Sequence, residues 1–426
     1  MQRERVLRSM AIAAAASASL VMASCTTNPE QPASTPTTAS ATARTWMETL
    51  YSDKPNTKLG SILIPGTHDS GTGGIDTETP CENQVIAGTL QPIVALLDTE
   101  PCVLAGFSRT QDVDLKTQLE SGIRYLDMRI GVPADQAVKP TGQPIPLPKN
   151  PLSVELVTQH TVVSQPLGEA LDGILTFAQE HPKEQVILDF QHVNLPKDPQ
   201  VADYYKKILD RYLHDYAPRG LAGAVPVCSR AWSSDVIKVD DSDLATKVSF
   251  GEAWRAERNL IVLTDPEGLP ASPCYRDRVD AVLSQWPKTQ DPEVSATYNK
   301  AELRQRRQKL AATPPKCEGT QSVGAKKDGT PKPGTDPANW CGFFVSQMQL
   351  SIGNTMYAGC VLDPRAKCSL FALSQTVNNS IANSVESWSE ASLPVNIVIV
   401  DFFNYADPSV VDTMLRLNAE ALTDAS

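Results

Sequence analysis

Residues 122–130 read GIRYLDMRI. In an extended chain successive side chains leave on opposite faces, so Arg124, Leu126 and Met128 share one side and Tyr125, Asp127 and Arg129 the other. Outward from this stretch, strand-like apolar runs recur at 61–65 (SILIP), 154–159, 185–190, 260–264, 343–350 and 396–403. Between the runs at 154–159 and 185–190, Leu167, Leu171, Ile174, Leu175 and Ala178 recur at helical spacing, and 200–216 and 409–417 repeat that pattern. Strands alternating with helices predict a mostly parallel α/β sheet. The 426 residues exceed one typical domain and still fit a single α/β barrel with surface insertions. Segment 289–340 breaks the rhythm with a polar, Arg-rich helix at 301–310 and a Pro/Lys/Gly-rich loop, and reads as such an insertion.

Composition narrows the function classes. Hydrophobic residues make up 41% of the chain, enough for a large core, which excludes disorder of the whole. Lys+Arg 38 against Asp+Glu 49 gives a net charge of −11, which argues against a nucleic-acid partner. Arg3, Arg5 and Arg8 precede a small-residue apolar stretch at 10–23, the pattern of an export signal. Its end, Val21-Met22-Ala23-Ser24-Cys25, resembles a bacterial lipobox, so 1–25 is expected to be a lipoprotein signal with Cys25 as the lipid attachment. Ordinary cleavage after an Ala is the alternative. Residues 26–45, rich in Thr, Ser, Pro and Ala, read as a tether to the envelope, and 46–426 as one folded domain. Without Cys25 the other cysteines are even in number, which in an exported chain implies disulfides. Cys81–Cys102 and Cys360–Cys368 would each close a short loop. Metal ligation is the weaker reading, because no Cys-x-x-Cys exists.

The histidines point to chemistry. There are five: His68, His160, His181, His192 and His214. His68 follows the first apolar run and His160 ends the third, while Asp127 and Arg129 lie near the end of the second and Asp401 near the end of the last. In a parallel barrel the carboxyl ends of strands converge on one mouth. Two histidines, an Arg and several carboxylates fit metal-free phosphoryl transfer. One neutral imidazole takes a proton from the attacking hydroxyl, and a protonated one gives a proton to the leaving oxygen. The guanidinium grips the phosphoryl oxygens, and the carboxylates orient the rings.

Three stretches resemble a known family: 65–70 (PGTHDS), 122–129 (GIRYLDMR) and 181–188 (HPKEQVIL) look like the X domain of phosphatidylinositol-specific phospholipases C. Ser108-Arg109-Thr110-Gln111 with Gln118-Leu119 is similar to the branch consisting of the X domain alone. The similarity runs over about 47–195 and resumes near 395–405. It implies an incompletely closed TIM-type (β/α)8 barrel acting on a phospholipid at a membrane surface as a monomer. It also implies His68 as general base oriented by Asp401, His160 as general acid oriented by Asp69, and Arg129 as the phosphate-binding group with Asp127 beside it. The implied reaction is attack by the headgroup's own 2-hydroxyl, giving diacylglycerol and a cyclic phosphate. Calcium-dependent relatives carry an Asn after the first His, whereas Asp69 and Arg129 stand here, so no metal is expected and calcium is the alternative.

The strands that would grip the headgroup carry Asp189, Gln191, Gln347 and Gln349, where bacterial phosphatidylinositol enzymes use Lys, Arg, Asp and Tyr. These four are the expected substrate-binding residues, and they leave the headgroup open. His181 reads as a helix cap, His214 as exposed, and His192 as a strand-end residue bordering the mouth. The six Trp are too scattered for an interfacial belt and read as core. Arg304, Arg306 and Arg307 read as a solvated helix face, with anionic lipid as the other contact. A glycerophosphodiesterase would need a His-Arg-Gly start and a pair of metal-binding Glu, which are missing. A surface binder without turnover is the remaining alternative.

Overall fold

Both faces of the central apolar runs are buried in the computed structural model, which is why they read as continuous hydrophobic stretches. The structure describes residues 42–77, 101–133, 138–140, 142–265, 269, 272–326, 329–352 and 369–424. Cys25 with the signal and most of the tether, and the expected pairs Cys81–Cys102 and Cys360–Cys368, rest on residues outside that set.

The strands in chain order are β1 (Ile64–Thr67), β2 (Tyr125–Gly131), β3 (Val157–His160), β4 (Val162–Pro166), β5 (Val186–Asn194), β6 (Leu260–Thr264), β7 (Arg276–Asp277), β8 (Val282–Gln285), β9 (Glu318–Ala325), β10 (Pro331–Asn339), β11 (Phe343–Gln347) and β12 (Ile397–Val400). Eight of them form one sheet in the order β7-β6-β5-β2-β1-β12-β11-β8, every neighbouring pair parallel. This is the expected TIM-type barrel, opened between the edge strands β7 and β8. Only the four-residue helix Arg278–Ala281 separates those two strands in the chain, too short for the crossover that parallel neighbours require.

Alternation along β2 divides the side chains as the sequence predicts. Leu126, Met128 and Ile130 pack outward with Leu188 and Phe190 of β5 against the helix Leu167–Glu180. Tyr125, Ile64, Ile187, Ile261, Val345 and Ile399 fill the barrel interior. Burying one such side chain contributes roughly 1.5–3 kcal/mol. The floor is closed by the helix Trp46–Tyr51, where Trp46 Nε1 donates to the Gly122 carbonyl at 3.0 Å.

Below the strands lies a buried ion pair drawn from two of the quoted stretches. Arg124 Nη2 is 2.6 Å from Glu184 Oε2, and the guanidinium also donates to the carbonyls of Leu119, Ile123 and Arg44. Glu184 in turn accepts from the backbone of Glu48 at 2.8 Å. The pair fastens the floor helix to the barrel. His181 caps the helix ending at Glu180, as expected, by donating its backbone N–H to Phe177 at 2.9 Å.

Four expectations change. The run at 154–159 is not a barrel strand: β3 pairs antiparallel to the end of β2 (Ile130↔Thr158) and antiparallel to β4, making a hairpin over the mouth end of the sheet. The polar helix, Pro292–Leu310, belongs to the barrel, packing through Tyr298, Leu303 and Arg306. Arg306 is not solvated: it is 2% exposed and donates to the carbonyls of Trp340, Gly342 and Pro394. Those carbonyls precede β11 and β12, so this basic end lies at the floor, away from the mouth. His214 is half-buried, its Nε2 2.9 Å from Ser272 Oγ beside the Cys228–Cys274 disulfide. A second disulfide, Cys317–Cys341, ties the 289–340 segment to the start of β11. Disulfides accord with an oxidising compartment.

Candidate active site

β1 delivers the first two polar groups. Gly66 within it permits the close approach of its neighbours, since a Cβ there would stand 2.9 Å from Ile399 and 3.0 Å from Tyr125. His68 follows directly on the end of the strand, and the chain turns at Asp69, whose φ of 41° is left-handed. Asp401, one residue past β12, reaches His68: its Oδ1 accepts the Nδ1 proton at 2.8 Å. The turn carries Asp69 beneath both histidines, with Oδ2 3.1 Å from His160 Nδ1 and 3.5 Å from His68 Nε2. Its Oδ1 is ion-paired with Arg129 Nε. Arg129 Nη2 lies 3.1 Å from His68 Nε2.

His160 comes from the β3–β4 hairpin. Its Nδ1 faces the Ser108 carbonyl at 2.8 Å as well as Asp69, two acceptors for one proton, so Nε2 is the nitrogen left for chemistry. The two imidazole centroids stand 6.1 Å apart, nearly perpendicular. Asp127 sits below them, fully buried, with Oδ2 accepting from the Asp69 backbone at 3.4 Å and Oδ1 without a partner. All six residues expected to carry the chemistry therefore meet in one cluster.

The charges set opposed proton affinities. Burial by itself would lower His68, but the Asp69 and Asp401 charges and the Asp401 hydrogen bond outweigh it and raise the ring to about 9. The Arg129 contact works the other way, because a guanidinium donates only to an imidazole nitrogen carrying a lone pair. The contact with Arg129 is compatible only with a neutral His68 protonated at Nδ1, so a second proton on the ring would break it. His160 is lowered to about 4 by burial, and by Arg129 and His68 against the pull of Asp69. Burial and the neighbouring Asp69 charge raise Asp127 to about 6. Asp69 is held below the usual carboxylate range: burial would raise it, but Arg129, His160 and His68 outweigh that.

One imidazole and two carboxylates, His68, Asp69 and Asp127, come close enough to share a cation. They do not suit calcium, which takes six to eight oxygens. Asp69 already neutralises Arg129, and the guanidinium supplies the positive charge at that point.

The expected headgroup residues divide. Asp189 is fully buried and engaged, accepting from Tyr125 Oη and from Arg278 Nε at 2.6 Å. Gln347 donates to Ser284 at 2.7 Å and Gln349 to Gln347 at 2.6 Å, so both brace the wall. At Gln191 the β2–β5 register slips: Asp127 pairs with Asp189, but Arg129 pairs with His192. The extra residue in β5 brings His192, not Gln191, level with Arg129. Arg278 was not foreseen, because it follows a two-residue strand too short to show any periodicity.

Comparison with known proteins finds similarity to the same family over part of the chain. Residues 102–227 match the model described as phosphatidylinositol-specific phospholipase C, X domain, a span that includes Asp127, Arg129, His160, Asp189 and Gln191 but not His68, Asp69 or Asp401. The chain is 24% identical over 379 residues to human PI-PLC X domain-containing protein 3, covering 88% of this chain and 92% of the relative. It is 24% identical over 257 residues to the variant-surface-glycoprotein phospholipase C of Trypanosoma cruzi, covering 57% and 56%. Among solved structures, a double mutant of the phosphatidylinositol-specific phospholipase C of Staphylococcus aureus aligns at 15% identity and a TM-score of 0.48, covering 88% of this chain and 97% of that one.

Proposed function

We propose that this chain, which carries an X domain of the phosphatidylinositol-specific phospholipase C family over 102–227, is a phosphodiesterase of phospholipase C type acting on a hydroxylated phospholipid. The observation that carries the reading is the cluster in which Asp69 bridges Arg129 and both histidines while Asp401 holds His68. Neutral His68, its Nδ1 proton held by Asp401, accepts at Nε2 the proton of a headgroup hydroxyl. That oxygen forms a bond to phosphorus as the diacylglycerol oxygen leaves. Arg129 turns from His68 to the phosphoryl oxygens and stabilises their charge. Protonated His160 delivers its Nε2 proton to the leaving oxygen, which yields diacylglycerol and a cyclic phosphate. His68 ends with the extra proton and His160 without it.

In the free site His68 is the more basic ring and His160 the less, the reverse of what the reaction needs. The reaction therefore draws on the minority form with His68 neutral and His160 protonated, and the negative charge of the bound phosphodiester raises the share of protonated His160. Placed among Arg129 and the two rings, that charge favours a proton on His160 and offsets the guanidinium that repels one. The cation at the phosphate is Arg129, so the reaction proceeds without metal. The two disulfides support export; attachment through Cys25 and action as a monomer at a membrane surface belong to the same proposal and rest on the sequence alone.

Vesicles of mixed headgroups in EDTA test this with wild type and His68→Ala. Diacylglycerol and a cyclic phosphate, lost in the variant, are the expected result. Product that appears only on adding calcium would overturn the metal-free step, and silence in both conditions would overturn the enzyme reading.

A further inference from the structure

Three turns carry the cluster, and each places a non-glycine residue at positive φ: Asp69 at 41°, Thr161 at 66° and Phe402 at 47°. Such conformations persist only where the surroundings over-determine them. For the turns at His68–Asp69 and Asp401–Phe402, the constraint comes from one distant segment, 108–111. Thr110 Oγ1 donates to the carbonyls of His68 (3.0 Å) and Asp69 (3.1 Å). Gln111 Nε2 donates to the carbonyls of His68 (3.1 Å) and Val400 (3.0 Å), joining the ends of β1 and β12. The Thr110 carbonyl accepts from the Phe402 backbone at 2.7 Å. Two residues earlier, the Ser108 carbonyl receives His160 Nδ1. Thr110 and Gln111 are both fully buried.

We propose that Thr110 and Gln111 are positioning residues that set the relative placement of His68, Asp69 and Asp401, and so the strength of the His68–Asp401 pair. The inference rests on the roles given above to those residues. Neither side chain touches the reacting atoms. Their hydrogen bonds go to the backbone beneath the reacting side chains, and these bonds fix the two strand ends to each other. Without these donors, the carbonyls of His68 and Val400 stay buried while the turns lose their constraint, and the 2.8 Å contact between His68 and Asp401 opens.

Thr110→Val removes the hydroxyl at constant shape, Gln111→Met removes both amide donors at similar length, and Thr110→Ser restores the hydroxyl. The expected result for the first two is a fall in kcat of about tenfold to a hundredfold, as a displacement of about 1 Å would cause. KM should stay within about threefold, since substrate contacts are intact. The alkaline limb of the pH profile should move down as the Asp401 bond weakens, and Thr110→Ser should stay near wild type. A lower melting temperature with kcat and the limb unchanged would overturn the proposal, because the residues would then serve stability alone. Should Thr110→Val not fold, NMR titration of His68 in Gln111→Met with inorganic phosphate present decides: a shifted curve supports the proposal, and one superimposable on wild type overturns it. Wild-type activity in the same assay separates the two readings. A wild type without product refutes the phosphodiesterase reading, while the His68 titration still tests the brace.

Discussion

Asp401→Asn keeps the shape of the residue that holds His68 and removes its charge. Nδ1 and Oδ1 stand 2.8 Å apart with both side chains buried, so the charge centres lie about 4 Å from each other. At an effective dielectric of about 20 the pair is worth about 4 kcal/mol, close to three decades in an equilibrium or a rate. Asp69 remains beside the ring, so the basicity of His68 does not collapse fully. The alkaline limb of kcat/KM should fall from about 9 toward the ordinary value of 6.5. The Asn amide can also turn its NH2 toward Nδ1 and select the wrong tautomer, which costs about 10⁴ in a serine-protease triad. A loss in kcat of roughly 10² to 10⁴ is therefore expected. The assay is initial-rate release of cyclic phosphate, followed by phosphorus NMR from pH 4 to 10, with a thermal melt as the folding control. A folded variant within about threefold of wild type, with its limb still near 9, would refute the assignment of Asp401.

Further outcomes follow from the same geometry. His160→Ala should lose about 10² to 10⁴ on a lipid substrate and far less on a diester with an aryl leaving group, which needs no proton; equal losses on both would remove His160 from the acid role. Inorganic phosphate should bind with proton uptake near neutral pH, because it raises a ring that stands at about 4 in the free site; calorimetry in buffers of differing ionisation enthalpy reads this directly, and no buffer dependence would contradict it. For stability, the unfolded chain binds more protons than the folded one at His160 between about 4 and 6.5, so His160 makes stability rise with pH there, by roughly 2–4 kcal/mol in total. His68, raised to about 9, acts oppositely, and its contribution is lost between 6.5 and 9. His160→Gln should flatten the acid slope in denaturant melts at fixed pH. Glu184→Gln strands the buried Arg124 charge and should cost about 3–5 kcal/mol in the same melts without shifting the pH limbs of activity.

The apolar runs around GIRYLDMRI, alternating with helical patterns, pointed to a mostly parallel α/β sheet, because strands buried on both faces read as near-continuous apolar runs, while the barrel itself was implied by the family resemblance. The same stretches exposed His68, Asp127, Arg129 and Asp401, since a polar residue at the end of an apolar strand stands out locally. Ser108-Arg109-Thr110-Gln111 was visible as a motif, yet its role depends on contacts with residues 40 to 290 positions away that no local period encodes. The bulge that puts His192 in place of Gln191 is a matter of register between two strands, and one inserted residue changes which side chain faces Arg129. β7 and β8 are too short to show periodicity, so the opening of the barrel and the Arg278–Asp189 pair appear only once the sheet is assembled. Burial inverted the reading of Arg306: on a polar helix it looks solvated, and only packing against the floor shows three carbonyls around it. The sequence by itself determined which groups were available for proton and phosphoryl transfer, because that is set by side-chain type and strand position. The tertiary structure decided how they are charged, since proton affinity depends on burial and on neighbours brought from β1, β2, β12 and the β3–β4 hairpin.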